Sequence, residues 1–519
     1  MNESFYEPLA LERILARCKE QLHAFRVPLL SALISGMLAY CFCFTNKLVN
    51  HDEVYSLFHK GGTLSSGRWM LSILDCIFPN ISMPWIYGIL TIVLISLAIC
   101  LLVSLFNLQN RLLQGVLAGV VMVFPSLIGL FSYMFTSSCF ALSFLLAVSA
   151  VWFGANHTWR GRGICLVCLI LSMGIYQSYI SVAASLMVLL LIQELLKGED
   201  VAAVIRHGVE YVVLLLLSMI VYYGITQALL SLAHMALNDY ANSNLAFDVG
   251  SLPAKVLTAY HRFFSILWHN LHSLVVNGFS RLIHMVMLAV TTLLLLIWAL
   301  TSPRKERMRF LLLGLLLFLL PLSINSIYLL AEDYAVHSLV LYSFVSLYVL
   351  TVMVADHMLQ QNPANFKRRL IRLGANLTAL ALIGILIVNT YAANAAYVGM
   401  YLRYENTYAF YSSLMAQLKT DPDFDADSKL AVLGKYHAPD FYEKNLGAVS
   451  AITGCGSLHP SCYSWNRFLT YYMGFPIEAA SDEEVHEIMA SDIYAQMPIY
   501  PYYGSVQKIG NVYVVKLSE

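Results

Sequence analysis

Eleven apolar runs dominate the sequence: 27–45, 82–106, 112–131, 133–154, 163–175, 179–196, 210–232, 282–301, 308–330, 337–356 and 373–397. Most approach the roughly 20 residues that a helix needs to cross a hydrocarbon layer. Lipid offers no partner to backbone N–H and C=O groups, so runs of this length fold as helices that span a membrane. The stretch 163–196 is too long for one crossing, because at about 1.5 Å per residue it would overrun a layer of roughly 30 Å. It divides at GIYQSY, residues 174–179, with a re-entrant pair as the alternative. Composition agrees: 59% of residues are hydrophobic and 12% charged, against roughly 25% charged in soluble domains. The expected fold class is an all-α polytopic membrane protein of about eleven transmembrane helices, followed by a small C-terminal α/β domain.

The charges orient the chain. Residues 1–26 lack the apolar core of a signal peptide and instead space Leu9, Leu11, Ile14, Leu15, Leu22 and Phe25 at helical intervals among Arg13, Arg17, Lys19 and Arg26. That pattern predicts an amphipathic helix lying on the membrane surface. With the N-terminus cytoplasmic, interior segments carry 17 Lys and Arg and exterior loops six, the other eight lying in the tail. This asymmetry is the one expected of cytoplasmic loops. An odd number of spans then places the C-terminal segment outside the cell. Formal net charge is zero, so nothing points to nucleic acid.

The multispanning region covers 27–402, and three segments, two of them loops of that region, are large enough to carry function; all three fall on the exterior. They are the loop 46–81, the loop 233–281 with its aromatic stretch KVLTAYHRFFSILWHNLHSL, and the tail 403–519. In the tail, 405–418 reads as helix, KLAVLGK (429–435) as a buried strand, and SVQKIGNVYVVKL (505–517) as a hairpin turning at Gly510-Asn511. Interior loops are short and hold no phosphate-cradling glycine motif. A synthetic reaction would therefore run on the outer face, where nucleotide sugars are not available, with an activated substrate delivered on a lipid. No ionisable residue sits near the middle of a span, which disfavours ion-coupled transport.

The first exterior loop holds the densest polar cluster. In NKLVNHDEVYSLFHKGGTLSSGRWM (46–70), His51, Asp52 and Glu53 stand side by side just past the first apolar run. A carboxylate at the interface can take the proton from an acceptor hydroxyl, and partial desolvation raises its pKa toward a useful range. Further along the loop, Gly67 permits a turn, Arg68 offers a donor fork matched to phosphate, and Trp69 can stack on a sugar. Tyr176 and Gln177 need hydrogen-bond partners at the outward end of a span, whether a sugar or a neighbouring helix. His261 and Arg262, in the second exterior loop, could neutralise a departing phosphate. Glu332 and Asp333 could hold an acceptor. For each, the ordinary alternative is a solvated loop charge or an interfacial anchor. No metal-ligand set or cofactor is indicated, and a divalent metal stays open. Cys165 and Cys168 form a CxxC inside an apolar run, which argues against zinc, whereas Cys455 and Cys462 in the exterior tail could form a disulfide.

The acidic pair followed by GRW, the mid-chain GIYQSY and the ending MPIYPYYGSVQKIGNVYVVKL (497–517) together resemble the Gtr type II family of bacterial membrane glucosyltransferases. These are C-type (GT-C) membrane glycosyltransferases. The resemblance runs from about residue 30 to the end. It implies an inverting enzyme in the bacterial plasma membrane that moves a hexose, usually glucose, from a polyprenyl-phosphate-linked donor to a cell-envelope polysaccharide. It also implies a separate flippase and a cytoplasmic donor synthase. In such enzymes the first exterior loop supplies the catalytic acid, which here falls on Asp52 or Glu53; many relatives have two Asp there. Arg68, Tyr176 and Gln177 follow by motif match. The competing readings are a polymerase or ligase using a lipid-pyrophosphate donor, which would rely on exterior Arg and His, and a lipid-linked sugar flippase, which would need a polar path through the bundle.

Overall fold

A computed structural model of the chain describes residues 25–46, 48–58, 63–77, 81–238, 250–269, 274–301, 307–330, 336–361, 365–425, 427–437 and 458–519. The surface helix expected over 1–26, the acids Glu332 and Asp333, and Cys455 with its proposed pairing to Cys462 lie outside these residues, but for the last positions of the first.

In chain order the helices are α1 (Arg26–Thr45), α2 (His51–Ser56), α3 (Trp69–Ile77), α4 (Pro84–Leu105), α5 (Arg111–Met122), α6 (Pro125–Ser132), α7 (Met134–Gly154), α8 (Trp159–Ile175), α9 (Ile180–Lys197) and α10 (Val201–Leu232). They continue with α11 (Leu252–His269), α12 (Gly278–Thr301), α13 (Arg307–Ile324), α14 (Ile327–Leu330), α15 (Val345–Gln360) and α16 (Asn365–Leu418). The C-terminal segment adds β1 (Lys429–Leu433), α17 (Trp465–Met473), β2 (Glu478–Ala479), α18 (Asp482–Met489), α19 (Asp492–Gln496), β3 (Val506–Ile509) and β4 (Val512–Lys516). This is an all-α polytopic membrane protein carrying a small mixed sheet.

The span count differs from the eleven expected. Among the described residues nine helices are long and apolar enough to cross a membrane: α1, α4, α7, α9 and α15 with their preceding turns where present, α10, α12, α13 and α16. The run 112–131 is a tenth only as a broken pair, α5 and α6 meeting at 42°. The eleventh, α8, is a helix of 17 residues that begins with Trp159 and includes Arg160 and Arg162. The division at GIYQSY stands, because α8 ends at Ile175, a short 3-10 turn occupies Gln177–Tyr179, and α9 starts at Ile180.

The break between α5 and α6 shows how lipid shapes this chain. Pro125 has no N–H, so the carbonyl of Val121 loses its helical partner. The Tyr342 hydroxyl donates to that oxygen at 2.9 Å, and Tyr40 donates to Met122 O at 2.8 Å. Tyr397 serves Ile128 O at 2.9 Å. Two buried tyrosines, from α1 and the turn before α15, thus satisfy a kink that would otherwise cost several kcal/mol per bare group, and Tyr397 of α16 adds a bond to α6 itself. Elsewhere hydroxyls tie helices together: Ser143 and Ser172 join α7 to α8, Thr91 and Ser137 join α4 to α7, and Thr291 and Thr351 join α12 to α15.

Helix α16 is 54 residues long, about 80 Å at 1.5 Å per residue. A bilayer takes roughly 20 of those residues, so the helix passes without interruption from the bundle into the C-terminal segment. The boundary placed at 403 falls inside it. Its end packs on one face of a four-stranded sheet of order β2-β1-β4-β3, in which β1 lies parallel to β2 and β4 and β3 runs antiparallel to β4. The hairpin turns at Gly510-Asn511 as expected, with Gly510 at φ 62. Alternation along β4 divides the core: Tyr513 and Val515 join Phe410, Tyr411, Leu414 and Phe468 on the α16 side, while Val512 and Val514 join Ile488, Tyr494 and Met497 on the other. Val49 and Val54, from around α2, belong to the first of these cores. The loop after α1 is therefore built into the C-terminal unit.

Close helix packing makes a prediction. A Cβ on Gly88 of α4 would meet the Phe44 ring at 2.5 Å, whereas one on Gly314 of α13 meets nothing within 4 Å. Gly88→Val should destabilise the bundle by about 1–3 kcal/mol through overpacking. Gly314→Ala should be neutral or slightly stabilising. Thermal midpoints of the detergent-purified variants check both.

Candidate functional site

The HDE cluster forms the six-residue helix α2, capped by Asn50, whose side chain accepts from Glu53 N at 2.7 Å. The helical turn sends neighbouring acids in different directions. Glu53 is 1% exposed; its Oε2 accepts from the backbone N–H of Phe135 at 2.8 Å, and its Oε1 accepts from the Ser82 hydroxyl. Phe135 lies in the first turn of α7, where N–H groups lack helical partners and a carboxylate is favoured by the helix dipole. Burial nevertheless dominates and pushes the Glu53 carboxyl up to about 7, opposed by the two hydrogen bonds and aided by the neighbouring Asp52 charge.

Asp52 faces the other way and its side chain is 36% exposed. Its Oδ1 accepts from the Tyr463 hydroxyl, 411 positions along the chain, and lies 3.8 Å from His51 Nε2. Tyr463 packs on His51 with ring centroids 4.8 Å apart. Burial, and next the bond to Asp52, raise the Tyr463 pKa. His51 is lowered by burial against the opposing pull of Asp52, and His459 is lowered by burial and by the charges of His51 and Arg403. The Arg467 guanidinium lies 3.7 Å from the centre of the Tyr55 ring and donates to Tyr55 O at 3.0 Å. The edge of α2 is thus gripped by α17 and the residues before it.

Arg68, Trp69, Tyr176 and Gln177 form a second group. Gly67 sits at φ 73, a left-handed turn that favours glycine. Gln177 Nε2 donates to Ser66 O at 3.0 Å, and Tyr222 donates to Gly67 O at 2.9 Å. This clamp aims the next side chain: the Arg68 guanidinium stands 4.9 Å from the centre of the Tyr176 ring and 5.8 Å from that of Phe140, and its buried Nε has no hydrogen-bond partner. Tyr176 and Phe140 stack at 4.1 Å. Trp69 is 7% exposed and lies where a Cβ on Gly174 would approach its ring to 2.8 Å, so its faces are occupied by protein. Both groups meet α7, one at Phe135 and the other at Phe140, five residues or about 7.5 Å apart along the helix. His261 and Arg262 are carried instead by α11, where the adjacent Tyr260 stacks on Phe318 of α13 at 5.0 Å, and His261 is exposed.

The structure therefore brings a half-exposed carboxylate and a guanidinium with an unpaired donor to one end of the same helix. The first can accept a proton, and the second can receive an anionic oxygen. The model of the family described as Glucosyl transferase GtrII matches residues 41–355, more than half of the chain. The chain belongs to the GtrII glucosyl transferase family. It is a multi-pass membrane glycosyltransferase. No curated protein and no solved structure matches it. The GtrII match takes in α2, Arg68, Tyr176 and Gln177, while Tyr463, His459 and Arg467 lie beyond it. Those three were not singled out from the sequence; the signal was the aromatic run around Arg467, with Tyr463, Trp465, Phe468, Tyr471 and Tyr472 within ten positions. Asp75 on α3 was also overlooked, and it shares with Glu53 electrostatic reach to the Tyr87 hydroxyl.

The raised Glu53 pKa carries a sign. Folding favours its protonated form, so its contribution to stability is present below its ordinary value near 4.5 and is lost as pH rises to about 7. The loss amounts to about 3 kcal/mol. Glu53→Gln should gain on wild type as pH moves from 5 to 8, read as a widening difference between the two apparent thermal midpoints.

Proposed function

We propose that this enzyme transfers glucose from a polyprenyl-phosphate carrier to a cell-envelope polysaccharide on the outer face of the bacterial plasma membrane, with inversion at the anomeric carbon. The observation that carries this reading is the division of labour within the acidic pair: Asp52 is accessible beside the C-terminal segment, while Glu53 is buried and committed to Ser82 and Phe135. Asp52 is then the general base and Glu53 a positioning residue that holds α2 against α7. The carboxylate of Asp52 takes the proton of an acceptor hydroxyl as its oxygen attacks C1 of the sugar. The bond from C1 to the phosphate oxygen breaks on the opposite face, and polyprenyl phosphate leaves with the electron pair. A single displacement with one base inverts C1.

Arg68 supports the leaving group. Its Nε is unpaired and its guanidinium is flanked by Tyr176 and Phe140, a partly desolvated setting in which a charge-assisted bond to phosphate gains strength. Tyr176 borders the donor, and His51, Tyr463 and Arg467 border the acceptor. Gln177 and Trp69, assigned from the sequence to sugar contact, are spent on the Gly67 turn and on packing against Gly174, so their effect is through Arg68. His261 and Arg262 are on a separate helix and take no part in the proposed step. The cytoplasmic N-terminus, exterior tail, separate flippase and donor synthase complete the reading.

The experiment is release of polyprenyl phosphate from polyprenyl-phosphate-glucose by purified protein supplied with envelope polysaccharide. Asp52→Asn should lower turnover by about 100-fold or more. Glu53→Gln should retain most of it, and Arg68→Ala should lose on the order of 100-fold in turnover, in the range seen for a transition-state donor. Equal loss in Asp52→Asn and Glu53→Gln would contradict the assignment of the base, and no release by wild type with any hexose would contradict the reaction.

A further inference from the structure

A second polar cluster lies at the opposite end of α8, about 25 Å from Tyr176 along 17 residues of helix. His157, in the turn between α7 and α8, meets Glu194 of α9 and His207 and Glu210 of α10. The two imidazoles stack with centroids 3.6 Å apart and planes 12° from parallel. Glu194 serves both: its Oε2 is 2.9 Å from His207 Nδ1 and its Oε1 is 3.8 Å from His157 Nε2. One donor atom from each of these three residues lies within 4.8 Å of the other two.

We propose that His157, Glu194 and His207 form a binding site for a divalent first-row transition ion, with zinc the best match. Two imidazoles and one carboxylate suit zinc and its neighbours rather than magnesium or calcium, which prefer all-oxygen sites. Tetrahedral zinc at about 2.0–2.1 Å from its ligands holds them roughly 3.4 Å apart, so binding turns the two rings out of their parallel stack until both lone pairs converge on one point. Three protein ligands leave a fourth position for water.

Two further observations favour a ligand over a plain hydrogen-bonded cluster. His157 Nε2 is buried and has no hydrogen-bond partner. The opposite ring nitrogen, Nδ1, is 3.3 Å from Glu210 Oε1, and Glu210 is in turn held by Arg162 through bonds of 2.7 and 2.6 Å. A carboxylate behind a histidine in this way fixes the proton on Nδ1 and turns the Nε2 lone pair toward the metal side. The three side chains are 20%, 20% and 19% exposed, so an ion can enter from water. The ion would join the α7–α8 turn to α9 and α10.

The test uses full-length protein without a polyhistidine tag, stripped with a chelator and titrated with cobalt(II), followed by visible absorption and by metal content after gel filtration. Wild type should retain one ion per chain with a tetrahedral cobalt spectrum, and zinc should displace it and raise the thermal midpoint. His157→Asn/His207→Asn should bind more than about 100-fold more weakly, and Glu210→Gln, which leaves all three ligands in place, about 10–100-fold more weakly. Wild type that retains no ion overturns the proposal whatever the variants do. So does retention in the double variant equal to wild type, which would place the ion elsewhere.

Discussion

The site depends on one buried carboxylate. Glu53 reaches from α2 to the unpaired N–H of Phe135 at the start of α7 and to the Ser82 hydroxyl before α4. A charged or hydrogen-bonding group with no water around it is costly unless its partners are in place, so these contacts fix where α2 can stand. With Glu53 turned inward, the helical step places Asp52 outward, against Tyr463. The accessible acid owes its position to the inaccessible one.

The same economy of polar groups explains the bundle around it. Breaking a helix at Phe124-Pro125 in an apolar environment is tolerable because Tyr342 and Tyr40 reach the freed carbonyls of Val121 and Met122, while Tyr397 braces α6 at Ile128 O. Those tyrosines come from α1, α16 and the segment before α15, so the kink ties the first and last membrane helices to the middle of the chain. Helix α16 then continues past the bundle, and its end shares a core with Val49 and Val54 beside α2. The C-terminal sheet is thereby docked on the one loop that carries the accessible acid.

Much of this was legible in the sequence. Length and apolarity mark each crossing, the tyrosine and polar residues of GIYQSY mark the division between α8 and α9, and Gly510-Asn511 marks the hairpin. The acidic pair stood out because polar residues are scarce. The broken α5–α6 pair was missed although Pro125 signals it, because a proline alone does not decide a break: Pro321 lies inside α13 without one. The Tyr463 contact with Asp52 was not legible, because local pattern carries no information about which residue 411 positions away will close on a loop. The separate fates of Asp52 and Glu53 rest on contacts distant in sequence, Glu53 with Phe135 and Asp52 with Tyr463, and the bond of Gln177 to Ser66 spans 111 positions.

The most direct measurement is the structure of the chain in a lipid nanodisc with polyprenyl-phosphate-glucose bound, determined by electron cryo-microscopy. The account predicts the donor phosphate in contact with the Arg68 guanidinium and C1 of the glucose turned toward the Asp52 carboxylate, with Glu53 still buried on Phe135. A donor seated away from Arg68, or with Glu53 rather than Asp52 facing its anomeric carbon, would contradict it.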